Sequence, residues 1–182
     1  MVGRARKRAA AALADNLAVF AHAGYRESGR PDLFTARLEA PAGGRPLVLR
    51  MAPDGRILGG TFGLEISTAE PVLPATRGIS ARGRGVLKLR GLAFRARGRD
   101  PEGGRLAERL RGDAELAEAL SQVHFERVRI EPDGRPVIRH MGGSVVWILF
   151  PPLVRPIPLL ASQAQASARA LEAFARAGGG LL

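Results

Sequence analysis

Hydrophobic residues near the start of the chain recur at helical spacing. Leu13, Leu17 and Phe20 follow an i, i+4, i+7 pattern, which places them on one face of a helix. The basic N-terminus resembles the first part of a signal peptide, but Asp15 and Asn16 interrupt the apolar run that such a peptide needs. The pattern therefore predicts an amphipathic helix and no signal peptide.

The next segments change to a two-residue period. In residues 33–41 (LFTARLEAP) apolar and polar residues alternate, which is typical of a half-buried strand. Residues 45–52 and 56–68 also have strand character, and the sequence Pro-Asp-Gly at 53–55 between them predicts a turn. This half of the chain therefore predicts an antiparallel meander.

Two helical segments are predicted in the second half of the chain. Leu106 and Leu110 share one helical face. Asp113 is then positioned to cap a second helix that carries Leu116 and Leu120. The two segments together predict a helix pair.

The last part of the chain predicts a hairpin and a C-terminal helix. Residues 124–131 and 135–141 have strand character, with a second Pro-Asp-Gly turn at 132–134. Ser162 and Gln165 match a capping box for the final helix.

Residues 142–160 (GGSVVWILFPPLVRPIPLL) form the most apolar stretch of the chain. Its prolines exclude a membrane-spanning helix. The continuous run VVWILF at 145–150 predicts a strand covered on both faces, followed by an extended segment. Packing of that segment under the last helix is favoured, and an exposed apolar patch for a partner or a lipid surface is the alternative. The patch would comprise Leu153, Val154, Ile157 and Leu159.

These segments predict an α+β fold. Antiparallel meander strands form one or two sheets, and an N-terminal helix, a middle helix pair and a C-terminal helix pack on a face. A change of phase in the apolar residues of 86–97 predicts a β-bulge at Gly91. The length of 182 residues predicts a single domain, 1–182. The repeated PDGR sequence leaves an organisation in two halves, 1–70 and 100–182, as a further option.

The chain has no cysteine, which excludes disulfides and thiolate metal sites and suits a reducing cytoplasm. Its net charge is +11, and all but Lys7 and Lys88 of its 28 basic residues are arginine. The arginine bias is typical of a GC-rich bacterial genome and leaves a solvated surface as the simplest explanation. The functional alternative is an acidic partner, either nucleic acid or anionic lipid.

The strongest charge signal is residues 71–99, which contain no acidic residue. Arginine pairs bidentately with phosphate, so these side chains are candidates for anion binding. They are Arg77, Arg82, Arg84, Lys88, Arg90, Arg95, Arg97 and Arg99. Because only Phe94 is aromatic in this window, the sequence predicts nonspecific phosphate contact and no base stacking.

Catalytic and metal-binding patterns are weak. The three histidines, His22, His124 and His140, lack helical ligand spacing and acidic companions. Ser144 follows two glycines without the context of a nucleophile elbow. The sequence therefore predicts no cofactor and no metal, and favours a non-enzymatic protein over an enzyme.

The segment GGSVVWILFPPLVRPIPL, with the preceding DAELAEAL, resembles small uncharacterised bacterial proteins of unknown function. The resemblance covers the C-terminal third and implies no active site.

The leading functional hypothesis is a non-enzymatic cytoplasmic protein whose basic surface contacts a polyanion. The second is a carrier of hydrophobic ligands or a peripheral protein at the inner membrane, and the third is an enzyme whose site the sequence does not reveal. The oligomeric state is left open.

Overall fold

The computed structural model describes residues 2–56, 59–83 and 92–179 of the chain. These residues form four helices and ten strands. In chain order they are α1 (Val2–His22), β1 (Arg26–Asp32), β2 (Thr35–Glu39), β3 (Leu47–Arg56), β4 (Gly59–Thr68), β5 (Ile79–Gly83), β6 (Leu92–Ala96), α2 (Pro101–Gly112), α3 (Ala114–Ser121), β7 (Phe125–Ile130), β8 (Pro136–His140), β9 (Ser144–Ile148), β10 (Leu153–Ile157) and α4 (Ala161–Gly178).

All ten strands belong to one sheet, and every pairing is antiparallel. Eight of them follow the order β1-β2-β3-β4-β8-β7-β5-β6, and β9 and β10 lie off this path. β4 pairs with β3 along one edge. Its other edge is shared, because residues 59–62 pair with β9 and residues 65–67 pair with β8. β10 pairs with β9. The predicted α+β class is therefore confirmed, and strands from both halves of the chain share the sheet.

One face of this sheet is apolar and carries the core. A row of directly paired residues crosses seven strands on that face, and all seven are buried. The row consists of Ala36, Leu49, Ile66, Ile138, Val128, Ala81 and Phe94. The helices cover it; for example, the ring of Phe174 in α4 meets Phe94 edge-on at 6.2 Å between centroids. Among the described residues, no helix is both long and apolar enough to cross a membrane.

The N-terminal helix is confirmed, and a buried polar contact holds it to the sheet. Leu13 and Phe20 are buried. Nδ2 of Asn16 donates a hydrogen bond of 2.9 Å to the carbonyl of Gly143, just before β9. Gly143 has a φ of +70°, and a Cβ there would lie 2.6 Å from Cδ2 of Leu64. Only glycine therefore allows this close approach without strain.

Two turn predictions have different outcomes. The Pro-Asp-Gly turn at 132–134 is confirmed between β7 and β8, where the amide of Gly134 donates to the carbonyl of Glu131. The predicted turn at 53–55 is wrong, because Pro53, Asp54 and Gly55 lie inside β3 and pair with β4. The β3–β4 pairing continues past the local turn signal as far as Arg56 and Gly59.

Two further local predictions are wrong. The run at 145–150 is not a strand covered on both faces, because β9 ends at Ile148 and Phe150 is exposed in the turn that follows. The segment after that turn pairs with β9 as a regular strand. Ser162 does not cap α4, whose N-cap is Leu160 without a side-chain hydrogen bond. The predicted bulge at Gly91 lies outside the described residues.

The predicted cap at Asp113 is confirmed and gives a first test of the fold. Its carboxylate accepts a hydrogen bond of 2.8 Å from the amide of Leu116. We expect Asp113→Ala to lower the free energy of unfolding by about 1 kcal/mol. The matched control Ser162→Ala removes a side chain that caps nothing, and should change it by less than about 0.5 kcal/mol. Urea denaturation measures both, and equal losses would contradict the assigned caps.

Candidate anion-binding groove

The sheet face opposite the helices, called the open face here, is polar and rich in arginine. A row of paired residues crosses the same seven strands on this face. It consists of Arg37, Val48, Ser67, Val137, Arg129, Ser80 and Arg95. A second row comprises Thr35, Arg50, Glu65, Arg139 and Arg127. Because side chains alternate between faces along a strand, the register that builds the core also gathers these arginines.

Glu65 lies at the centre of an ion-pair network on the open face. Its carboxylate accepts two hydrogen bonds from Arg129, at 2.7 and 3.0 Å. Nη1 of Arg139 lies 3.6 Å from the same carboxylate. Burial alone would raise the pKa of Glu65, but the hydrogen bonds and charge of Arg129, together with the charges of Arg139 and Arg50, outweigh it and hold the pKa below its ordinary value. Glu65 is therefore a fixed anion and a poor proton acceptor.

Arg129 and Arg139 are the two arginines that this network neutralises. Nε of Arg129 also donates to Glu131 at 2.6 Å, and the hydrogen bonds to Glu65 are the main reason that the pKa of Arg129 is raised. Arg139 is buried and donates to Glu126 at 3.0 Å. Its guanidinium lies directly over Gly63, where a Cβ would come within 2.7 Å of Nε. A glycine at this position of β4 therefore makes room for the buried cation.

Beside this network lies a groove of about 490 Å³ that we call the arginine groove. Its lining includes the exposed side chains of Arg77, Arg95, Arg97 and Arg127, and the half-buried Arg129. Ser80 stands between Arg95 and Arg129 in the strand register. Ser80 also lines the groove, and its side chain is small and exposed. Glu131 is the acidic residue of the described lining, and it already binds Arg129.

Three of the predicted anion-binding residues, Arg77, Arg95 and Arg97, meet in this groove. Arg99 is exposed but does not line it. Arg82 lies on β5. Arg84, Lys88 and Arg90 lie outside the described residues.

Sequence reasoning missed Arg127 and Arg129. Both lie on β7, 28 and 30 residues beyond the end of the basic window 71–99. The alternation in FERVRI is a local signal that places both arginines on one face of a strand. Pairing of β7 with β5 brings Arg129 opposite Ser80. That pairing is a property of the tertiary fold.

The four residues of the predicted apolar patch do not share one environment. Leu153 and Ile157 are exposed on β10, and Val154 is half-buried against the core. Leu159 is buried between β10 and α4.

The histidines differ in their surroundings, and no group of three metal-ligating residues occurs in the described part of the chain. His22 and His124 are exposed, whereas His140 is buried. Nδ1 of His140 accepts a hydrogen bond of 3.0 Å from the amide of Gly142. Burial lowers the pKa of His140 to about 4, and the nearby His124 has a smaller effect in the same direction. His140 is therefore a neutral core residue at physiological pH.

Glu65→Gln tests the ion-pair network. We expect this change to lower the free energy of unfolding at pH 7 by about 1.5–3 kcal/mol, because Arg129 and Arg139 lose a buried anion. The folded pKa of Glu65 lies below its ordinary value of 4.5, so its contribution is complete above pH 4.5 and is lost as the pH falls through the folded pKa. Urea denaturation across this range measures both effects.

The control is Glu131→Gln, a partly exposed partner of Arg129, with an expected loss below about 1 kcal/mol. Equal losses for the two variants would contradict the central position of Glu65.

His140→Gln tests the buried histidine. The folded pKa of about 4 lies below the ordinary value of 6.5, so the neutral residue stabilises the fold above pH 6.5 and this stability is lost as the pH falls towards 4. We expect the native protein to lose about 3 kcal/mol over this interval and the variant to lack that loss. The exposed His124→Gln is the control and should retain it. Persistence of the full loss in His140→Gln would contradict the assignment.

Comparison with known proteins places the chain in a family. A family model with the description "Protein of unknown function (DUF3156)" matches residues 20–177. The expected membership of an uncharacterised family is thereby confirmed, and the match extends far beyond the C-terminal third, from the end of α1 to α4. No curated protein and no solved structure gives a significant match. The chain belongs to this DUF3156 family of proteins of unknown function.

Proposed function

We propose that this protein is a non-enzymatic binding protein whose arginine groove contacts the phosphate groups of an acidic partner. The observation that carries the proposal is the meeting of Arg77, Arg95, Arg97 and Arg127 around one groove of the open face. None of these four forms an ion pair with a described residue. Four cations held near each other repel, so a bound polyanion would stabilise their arrangement.

The positions of the arginines suit phosphate. Arg95 lies on β6 and Arg127 on β7, and both strands pair with β5, so their backbone positions are held by the sheet. Guanidinium groups bind phosphate oxygens in bidentate fashion. Arg129 is held by Glu65 and Glu131 and contributes little free charge. The binding groups are therefore the four arginines that form no ion pair within the described part of the chain.

The composition of the groove favours contact with a backbone over reading of bases. Among the described residues that line it, none is aromatic. Base-stacking surfaces and direct base readout both need other groups. The proposal is therefore a sequence-independent interaction, driven by charge and weakened by salt.

A non-enzymatic role is supported by the state of the buried carboxylate. Glu65 is the buried acid of the open face, and its hydrogen bonds and ion pairs with arginine keep it deprotonated. A general acid or base needs a pKa near the working pH. The environment of Glu65 moves its pKa away from that range.

The test compares two double variants that remove the same charge. Arg95→Ala/Arg97→Ala empties one wall of the groove, and Arg105→Ala/Arg109→Ala removes two exposed arginines of α2 outside it. Binding to duplex DNA by mobility shift and to anionic vesicles by co-sedimentation is measured at several salt concentrations. We expect the groove variant to bind DNA at least about tenfold more weakly, with a slope of log K against log salt reduced by about 2. The α2 variant should keep most of the affinity and the slope.

A second substitution tests the site without removing an arginine. Ser80→Glu places a carboxylate between Arg95 and Arg129 and should abolish binding, whereas Ser162→Glu at the start of α4 should not. Equal weakening by all variants would mean that the arginines act only as a general field, and would overturn the groove. Vesicle binding that is lost in Arg95→Ala/Arg97→Ala, without DNA binding by the native protein, would identify lipid phosphate as the partner of the groove.

A further inference from the structure

The turn between β9 and β10 holds the most exposed large apolar side chain of the described residues. Phe150 is 86% exposed, and Leu149 and Leu153 on either side of it are 39% and 46% exposed. The turn spans residues 149–152. Adjacent apolar side chains kept in water are unfavourable and mark an interaction surface.

Antiparallel pairing directs several elements to the same end of the sheet as this turn. β4 is antiparallel to both β3 and β9, so β3 and β9 run in the same direction. β2 is antiparallel to β3, and β1 is antiparallel to β2. β1 therefore runs in the same direction as β3 and β9. The β1–β2 turn, with Leu33 68% exposed, and the β9–β10 turn therefore point to one end, which we call the hairpin end.

The N-terminus of α1 also points towards the hairpin end. Phe20, near the end of α1, packs edge-on against Tyr25, next to the start of β1. Val2, at the start of α1, lines a cleft together with Leu33 of the β1–β2 turn. Between these points α1 packs on β9 and β10.

This helix start is strongly basic. Arg4, Lys7 and Arg8 are exposed, and no acidic residue precedes Asp15. Arg155 on β10 adds an exposed cation next to the apolar turn. The elements directed to the hairpin end thus carry protruding apolar side chains and exposed positive charge.

We propose that the hairpin end docks on the surface of an anionic lipid bilayer, with Leu149, Phe150 and Leu153 inserted below the headgroups. Peripheral membrane binding needs two signals, and here the apolar turn supplies one and the basic start of α1 the other. A turn that projects its side chains outward enters a fluid apolar phase without needing a preformed pocket. This surface is separate from the arginine groove on β5, β6 and β7, and it does not depend on the proposed function of that groove.

The test is co-sedimentation of the full chain with vesicles of phosphatidylcholine alone and of phosphatidylcholine with phosphatidylglycerol. We expect strong binding to the anionic vesicles that is reduced but not abolished at high salt. Phe150→Asp should weaken binding to the anionic vesicles at least about tenfold, because the variant loses the apolar side chain that is transferred from water into the bilayer. Met141→Asp is the matched control, since Met141 is 60% exposed but lies between β8 and β9, away from the turn. It should change binding less than about twofold.

The outcomes separate this proposal from the arginine groove. Loss of vesicle binding in Phe150→Asp with unchanged DNA binding supports the hairpin end. Failure of the native protein to bind anionic vesicles overturns it, as does equal binding of Phe150→Asp. Vesicle binding lost only in Arg95→Ala/Arg97→Ala overturns it as well, in favour of headgroup contacts by the groove.

A second measurement uses Trp147, the single tryptophan of the chain, which lies half-buried on β9 near the turn. In Trp147→Phe/Phe150→Trp the only tryptophan stands at the turn itself. Its fluorescence should shift to shorter wavelength on binding anionic vesicles and should be quenched by lipids brominated in the acyl chain. Co-sedimentation without shift or quenching would show binding by another surface and would contradict insertion.

Discussion

β4 is hydrogen-bonded along both of its edges, and the rest of the sheet depends on that strand. It pairs with β3 over its whole length, while its second edge is divided between β9 and β8. Since β8 leads to β7, β5 and β6, this division joins the first four strands to the last four of the sheet order. Gly63 in the middle of β4 leaves space for the guanidinium of Arg139, so the strand also fixes the buried cation of the open face.

The two faces of the sheet have different roles because the register aligns one apolar and one polar row across the same seven strands. The apolar row is buried under helices and forms part of the hydrophobic core. On the opposite face Glu65 forms ion pairs with Arg129 and Arg139. The arginines farther from Glu65 are not balanced by this carboxylate. Among the described residues, the local excess of positive charge is thus a consequence of where the carboxylates lie.

Local signals predicted the parts of the fold that depend on neighbours in sequence. The spacing of Leu13 and Phe20 indicated α1, Asp113 capped α3, and the turn at 132–134 formed as expected. The same kind of signal was overridden at 53–55, where pairing of β3 with β4 keeps the chain extended. At Phe150 the continuous apolar run suggested burial, but the strand ends before it and no described element covers the turn.

The sequence by itself determined the fold class, the high positive charge and the arginine cluster of residues 71–99, because these follow from composition and short-range periodicity. Only the tertiary structure decided that Arg127 and Arg129 join Arg77, Arg95 and Arg97 around one groove. It also decided that Leu153 is exposed while Leu159 is buried. The physical reason is that charge density and burial depend on which strands pair and in which register, and residues far apart in sequence set both.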